Sequence, residues 1–300
     1  MQPGILYAAL AFTWWGLFPL YFRLVTVVPP PEVLAHRVVW CLLFLAALMT
    51  WRRQWRWLPG VLRQPKVLLA FVGSALLIGA NWLAYIWSVT NGHVLEASLG
   101  YFITPLVNVL LGMSLLHERL RRVQWLALGF AALGVACLTW QAGRPPWIAL
   151  VLAITFGGYG LMRKVAALGA LEGLALETML LAPLAVLVLG IGWHQGSGHF
   201  PAPDAFTTVW MIALGPITAV PLLLFAAGAR RVSMTTLGLL QYIGPTIQFM
   251  VGVWVFKEPV SAERMVGFGL IWLALAIYSA DGWRIGRRMA AQRLQAATAS

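Results

Sequence analysis

The sequence has little charge and almost no cysteine. Only 10% of its 300 residues are Asp, Glu, Lys or Arg, whereas a soluble domain averages about 25%. Hydrophobic residues make up 61% of the chain, more than a soluble fold of this size can bury. The two cysteines, Cys41 and Cys137, both lie in apolar segments, which excludes a disulfide framework and a cysteine metal site. The composition therefore predicts a membrane protein.

The chain also lacks the motifs of an enzyme or a primary pump. It contains no glycine-rich phosphate loop, no soluble ATPase segment and no pattern typical of a catalytic triad. His194 and His199 lie in a loop rich in Gly and Pro, at a spacing that is not typical of metal ligands. We therefore predict no enzymatic activity, no cofactor and no metal.

Apolar segments of about 20 residues, the length that crosses a bilayer as a helix, recur along the whole chain. Helices are expected because each satisfies its own backbone hydrogen bonds in lipid. No charged n-region precedes the first segment, which indicates a retained span rather than a signal peptide. We predict an all-α, polytopic membrane protein with ten transmembrane helices. These spans are 4–22, 33–51, 67–89, 97–116, 123–141, 146–162, 173–193, 208–228, 235–256 and 264–283.

The net charge of +12 predicts a membrane topology rather than a nucleic-acid partner. The basic residues form short clusters between apolar segments instead of one soluble basic face. Alternate loops, with the C-terminal tail, hold 16 of the 21 Lys and Arg residues. Because cytoplasmic loops carry an excess of Lys and Arg, both termini are expected in the cytoplasm.

The chain contains an internal duplication at an offset of 140 residues. The pattern Pro-x6-Gly-x5-Glu occurs at Pro105–Glu118 and again at Pro245–Glu258. The register continues without gaps through span 5, which is difficult to obtain by chance. Five spans in each copy reverse the orientation of the second copy. We therefore predict two inverted five-helix repeats, at 1–142 and 143–285, followed by a basic cytoplasmic tail at 286–300.

Inverted repeats are typical of secondary transporters, whose substrate site lies near the membrane midplane between the repeats. A duplication that only builds a stable helix bundle is the alternative interpretation, and we favour the transporter.

Polar residues inside spans are costly and therefore mark candidate sites. Asn108 and Gln248 each lie three residues after a repeat proline, which frees a backbone carbonyl one turn earlier. A central polar site and helix–helix hydrogen bonding explain these amides equally well. Tyr101, Gln241 and Tyr242 lie about one turn before the prolines and are candidates for the same cavity.

Two further spans contribute candidate substrate-binding residues. In span 3, Asn81, Trp82 and Tyr85 combine polar and aromatic groups that suit a substrate with an apolar body and a polar head. In span 6, Tyr159 lies in a glycine-rich stretch that permits either a hinge or close helix packing. Close packing is the favoured interpretation of those glycines.

Five ionisable residues near span ends are candidates for ion coupling. His36 and Arg37 open span 2, Glu96 opens span 4, Arg163 closes span 6, and Glu177 lies just inside span 7. Arginines at helix ends commonly extend to the membrane interface, and acids there interact with the helix dipole. Proton coupling and facilitated export both remain open.

Several stretches of the chain are similar to those of a known transporter family. They are His36-Arg37, GANW at 79–82, LEASLGYFI at 95–103, YGLMRK at 159–164, ETM at 177–179, VPLL at 220–223 and QYIGPT at 241–246. On these residues the chain resembles the EamA-domain transporters of the drug/metabolite transporter superfamily. Within them it is similar to the RarD group, whose members are named chloramphenicol-sensitive proteins.

The resemblance implies two EamA repeats, a bacterial inner-membrane location and a central cavity near spans 1, 3, 4, 6, 8 and 9. It also implies export of small metabolites such as amino acids, or of drug-like molecules. The expected partners are a small-molecule substrate, the lipid bilayer and, if transport is coupled, protons. A membrane-embedded enzyme or a non-transporting assembly factor is the alternative, and it would need a reactive cluster at one membrane face. Substrate, direction and oligomeric state stay open.

Overall fold

The computed structural model describes residues 3–22, 28–90, 94–141, 147–201, 204–255 and 262–298, without the side chains of 94–98, 252, 285–298 and a few others. Within these ranges all regular secondary structure is α-helical, as the sequence predicts. The helices are α1 (Pro3–Gly16), α2 (Phe18–Phe22), α3 (Pro30–Trp51), α4 (Leu58–Leu62), α5 (Pro65–Thr90), α6 (Val94–Leu115), α7 (Arg122–Gln141), α8 (Trp147–Val165), α9 (Ala170–His194), α10 (Ala205–Ala229), α11 (Met234–Gln241), α12 (Ile243–Trp254) and α13 (Ala262–Thr298).

Each predicted span coincides with one helix or with two consecutive helices. Span 1 is divided into α1 and α2, and span 9 into α11 and α12. Eight segments of the described residues are long and apolar enough to cross a membrane, and the apolar part of α6 is shorter, at Leu99–Leu115. The protein is therefore a multi-pass helical membrane protein, whereas the count of ten spans and the two repeats stay predictions.

The helices begin at residues that suit a helix N-terminus. Prolines occupy the first turn of α3, where a missing N–H costs nothing. The Asp204 side chain accepts a 2.6 Å hydrogen bond from the Thr207 N–H and so caps α10. This bond lowers the pKa of Asp204, because it stabilises the ionised carboxylate. Ser233 caps α11 in the same way, accepting from the Thr236 N–H at 3.0 Å.

The helix neighbours follow one pattern in both predicted halves. α6 packs on α8, and the corresponding helices α12 and α1 pack on each other. α5 packs on α8 and α9, and its counterpart α10 packs on the corresponding helices α1 and α3. α3 also packs on α9, and α7 packs on α13. Exchanging each helix for its counterpart in the other predicted half therefore reproduces these contacts.

Glycines let the backbones approach closely at several of these contacts. A Cβ added at Gly134 of α7 would lie 2.7 Å from the carbonyl oxygen of Gly267 in α13. A Cβ at Gly157 of α8 would lie 2.8 Å from Cγ1 of Val107 in α6. α8 is one uninterrupted helix through its glycines, so they serve close packing in this structure rather than a break in the helix.

Gly215→Ala is expected to lower the melting temperature of the purified protein in detergent. A Cβ at this position of α10 would lie 2.8 Å from the carbonyl carbon of Trp40 in α3, and a backbone atom cannot rotate away. Such overpacking costs about 1–3 kcal/mol. Gly129→Ala is the control, because nothing lies within 4 Å of its added Cβ. Equal melting temperatures for the two variants would contradict the packing of α10 on α3.

Candidate functional site

A cavity lies between helices of both predicted halves. Residues of α1, α2, α3, α5 and α6 in the first predicted half and of α8, α10, α11 and α12 in the second line it. The space within the cavity, together with its open mouth, is about 770 Å³. The lining combines many aromatic side chains with three amides and one charged residue, Arg37. This composition suits a ligand with an apolar body and a polar head.

The cavity lies towards one end of the helix bundle. Trp15 comes from the last turn of α1 and Arg37 from the first half of α3, and these helices are consecutive spans. Tyr85 comes from the last part of α5 and Tyr101 from the first part of α6, which are again consecutive. The C-terminal ends of α1 and α5 and the N-terminal ends of α3 and α6 therefore lie at the cavity end of the bundle.

Two interrupted helices meet at the cavity wall. The carbonyl oxygen of Trp15 would normally accept from the N–H four residues later, but that residue is Pro19, which has none. Gln248 Nε2 of α12 donates to this carbonyl at 3.1 Å instead. A Cβ added at Gly16 would lie 2.7 Å from Cβ of Ile247, so only glycine permits this approach. The break between α1 and α2 therefore packs directly on α12 of the second predicted half.

Aromatic side chains form one wall of the cavity. The rings of Trp15 and Phe156 lie edge to face, with centroids 5.5 Å apart. Phe12 also lines the cavity, and Phe225 packs behind these rings, 5.9 Å from Phe12 and 5.5 Å from Trp15. Such interlocked rings form a rigid apolar surface.

The facing wall is polar. Asn81 Nδ2 donates to the Leu152 carbonyl and to Thr155 Oγ1, both at 3.0 Å, and thereby joins α5 to α8. The rings of Tyr85 and Tyr101 lie 5.8 Å apart. This amide has a clear structural role, and the two tyrosines lie nearer to the space that a ligand would fill.

The structure divides the nine predicted substrate-binding residues into two groups. Six of them line the cavity, namely Asn81, Trp82, Tyr85, Tyr101, Gln241 and Gln248. Asn108, Tyr159 and Tyr242 are buried behind the wall. Asn108 Nδ2 donates to Gln241 Oε1 at 2.8 Å, which is the helix–helix bond that the sequence left as an alternative.

Glu177 and Arg163 form a buried ion pair away from this cavity. They are 1% and 0% exposed, with 3.5 Å between Glu177 Oε1 and Arg163 Nη1. Ser74 donates to Glu177 Oε1 at 2.5 Å, and the Tyr159 hydroxyl donates to Oε2 at 3.3 Å. Ser74 and Lys66 also line a second cavity. The pair therefore joins α5, α8 and α9 and does not line the cavity between the halves.

The other predicted coupling residues lie apart from this pair. His36 Nε2 lies 3.8 Å from Glu32 Oε1, and His199 Nδ1 lies 2.9 Å from Glu32 Oε2. These three side chains therefore form a separate cluster. Arg37, the next residue, lines the cavity between the halves. The Glu96 side chain lies outside the described residues. In the part of the chain that the structure describes, no group of three His, Cys, Asp and Glu side chains could hold a metal ion.

The end of the bundle away from the cavity is held closed by polar contacts between the halves. Glu118, which follows α6, accepts hydrogen bonds from the backbone N–H groups of Met234 at 2.7 Å and Thr235 at 3.1 Å. These N–H groups belong to the first two residues of α11, and a carboxylate at a helix N-terminus also interacts favourably with the helix dipole. Within the second predicted half, Lys164 of α8 donates to the Val232 carbonyl nearby.

The first copy of the repeated motif now has a physical explanation. A Cβ added at Gly112 would lie 2.8 Å from Glu118 Oε2, so the glycine provides the space in which the carboxylate reaches α11. The Glu118 N–H also donates to the Gly112 carbonyl at 2.9 Å. In the second copy, Glu258 and the side-chain position of residue 252 lie outside the described residues.

Sequence reasoning missed much of the aromatic wall. Phe12 and Phe156 line the cavity, but in a chain with 14 phenylalanines nothing in their spacing distinguishes them from packing residues. Phe18 and Pro19 follow the break in span 1. The sequence does indicate this break, because a proline shortly after a glycine predicts an interrupted helix.

Comparisons with known proteins agree with this architecture. Residues 2–140 match the model of the EamA-like transporter family. An uncharacterized transporter of Pseudomonas aeruginosa is 46% identical over 96% of this chain and 97% of its own length. Protein RarD of Escherichia coli is 45% identical over 96% and 97% of the two chains. A protein crystal structure with 22% identity superposes with a TM-score of 0.71 over 91% of this chain and 96% of that one, which shows the shared fold.

The double variant Glu177→Leu with Arg163→Met is expected to lose less melting temperature than the sum of the losses in the two single variants. Each single change leaves a buried charge without its partner, which costs about 3–5 kcal/mol. The double variant removes both charges, so its loss of melting temperature should be smaller than the sum of the two single losses.

Thermal unfolding in detergent measures this coupling. The half-exposed pair Arg121–Asp281, at 2.8 Å, is the control, and the same cycle there should give a coupling below about 1 kcal/mol. Strictly additive losses for the Arg163–Glu177 cycle would show that this pair is not a buried ionic contact.

Proposed function

Because the chain belongs to the EamA-like transporter family and to its RarD group, we propose that it moves a small amphipathic molecule across the membrane by alternating access. Membership makes it a multi-pass membrane transporter of the drug/metabolite kind. The proposal adds the mechanism, the location of the site and the direction, which we take to be export on the strength of the family resemblance. The membrane is proposed to be the bacterial inner membrane, with both termini in the cytoplasm.

The single observation that carries the proposal is the cavity shared by the two predicted halves. It has an aromatic wall and a polar wall, the lining expected for a small amphipathic molecule. It lies towards one end of the bundle, whereas Glu118 and α11 close the other end. One accessible end and one closed end are the features expected of one state of an alternating-access cycle.

The exchange of helix neighbours supports the two-repeat mechanism. If α6 on α8 and α12 on α1 are equivalent contacts, the two halves can exchange conformations and move the opening to the other end. The interrupted spans 1 and 9 meet at the site, and discontinuous helices at the site are common in transporters built from inverted repeats. The proposal therefore treats the present state as open to the outer side.

Glu177 is the acid proposed for proton coupling, if transport is coupled. It accepts from Ser74 and Tyr159 and faces Arg163, and Ser74 borders a second cavity through which a proton could reach it. Facilitated export needs none of these groups, and a pH gradient distinguishes the two modes. None of the described residues that line the cavity between the halves is Ser, Cys, His, Asp, Glu or Lys, so no observation there favours an enzyme.

Filling the cavity is expected to abolish transport. In Gln248→Trp, the indole would occupy space at the polar wall, while Leu187→Trp would place the same ring on a side chain that is 57% exposed on α9. Proteoliposomes loaded with a panel of amphipathic metabolites and drugs measure efflux by mass spectrometry, with and without a pH gradient. Flux should occur with wild type and Leu187→Trp and be absent with Gln248→Trp.

Size-exclusion chromatography of both variants checks that they fold. Wild-type flux through folded Gln248→Trp would exclude this cavity as the transport site. Chemical conversion of a panel compound without any flux would instead favour the membrane-embedded enzyme.

A further inference from the structure

Arg37 is the one charged side chain among the described residues that line the cavity between the two predicted halves. It comes from α3, a helix long and apolar enough to cross a membrane. Its Nε donates to Thr218 Oγ1 of α10 at 2.9 Å. Its guanidinium carbon lies over the ring of Trp82, 4.3 Å from the centroid. The side chain is therefore held in one orientation by contacts from two other helices.

This guanidinium has no acidic partner within the described residues. No Asp or Glu oxygen among them lies within 4.0 Å of its nitrogens, and the nearby acid Glu32 contacts His36 and His199 instead. Glu177 is occupied by Arg163. Among the described residues, Arg37 makes one protein hydrogen bond, through Nε, and both terminal nitrogens are left for a ligand.

Arg37 is partly buried, and its protein contacts offset only part of the cost of removing its charge from water. A cation–π contact contributes about 0.5–2 kcal/mol, and a neutral hydroxyl acceptor contributes about 1.5–3 kcal/mol when the donor is charged. Removing a guanidinium from water costs several kcal/mol unless an opposite charge approaches it. A structural role at a helix end would instead let the side chain extend to the interface. The geometry fits a cation that is kept inside the cavity for an anion.

We propose that the transported molecule carries a carboxylate, which binds the two terminal nitrogens of Arg37 while its apolar body lies against Trp15 and Phe156. This inference rests on the proposed function, because it assumes that the cavity binds the substrate. The fork of the guanidinium matches the two oxygens of a carboxylate. Tyr85 and Tyr101 supply hydroxyl groups on the same wall, and no acid in the described lining repels the anion.

Three probes with the same apolar body and different heads test the proposal. They are 3-phenylpropionate, its neutral amide 3-phenylpropionamide and the cation 3-phenylpropylamine. Equilibrium dialysis against the purified, detergent-solubilised protein at neutral pH measures binding of each probe. Wild type should bind the carboxylate roughly tenfold to a hundredfold more tightly than the amide, as expected for charge-assisted hydrogen bonds. It should bind the amine most weakly.

Variants assign the preference to this side chain. Arg37→Gln should bind the carboxylate no better than the amide, and Arg37→Lys should retain part of the preference because it keeps the charge but loses the fork. Arg52→Gln, at an exposed position that does not line the cavity, is the control and should behave like wild type. Should Arg37→Gln fail to fold, Arg37→Lys and the wild-type probe order still decide the question.

Three results would overturn the inference: equal binding of amide and carboxylate by wild type, an unchanged preference in Arg37→Gln, and no measurable binding of the carboxylate. None of them decides whether the cavity transports, because Gln248→Trp and Leu187→Trp test that separately. If those variants show that the cavity does not carry transport, a carboxylate preference that depends on Arg37 would describe binding only.

Discussion

Polar groups at bilayer depth must find their partners inside the protein, because the hydrocarbon offers none. In this chain many of those partners come from the other predicted half. Asn108 bonds to Gln241, Gln248 to the Trp15 carbonyl, and Glu118 to the start of α11. These cross-half bonds fix how the two sets of helices sit against each other. The cavity is the space that remains between them.

The same bonds determine what a change of state would cost. An ordinary hydrogen bond contributes about 0.5–1.5 kcal/mol net, and one to a charged group about 1.5–3 kcal/mol. Opening the closed end requires release of Glu118 from Met234 and Thr235, so the opposite state must form replacement contacts. A substrate can shift this equilibrium only by binding the two states differently. An anion on Arg37 would supply such a difference if the surroundings of the guanidinium change between states.

Composition and spacing were enough to predict the helical class and the apolar segments that form the long helices, since apolar length depends on the residues themselves. They also selected six residues that line the cavity, because amides and aromatic groups within spans are conspicuous. Helix rotation could not be predicted, as it depends on close contacts such as that between Gly157 and Val107. Asn108 therefore lies behind the wall and Gln248 within it, although both follow a repeat proline. Arg37 was expected at a span end, and its contacts with Trp82 and Thr218 place it in the cavity instead.

The central claim is that two copies of one five-span unit lie in opposite orientations and enclose the cavity between them. The most direct measurement is labelling of single cysteines at matched positions, Arg119→Cys and Pro259→Cys, in a background that carries Cys41→Ala and Cys137→Ser. A membrane-impermeant maleimide is applied to intact spheroplasts and, separately, to inside-out vesicles. The account predicts that the thiol at position 119 reacts only in the vesicles and the thiol at position 259 only in the spheroplasts. Reaction of both thiols from the same side would contradict it.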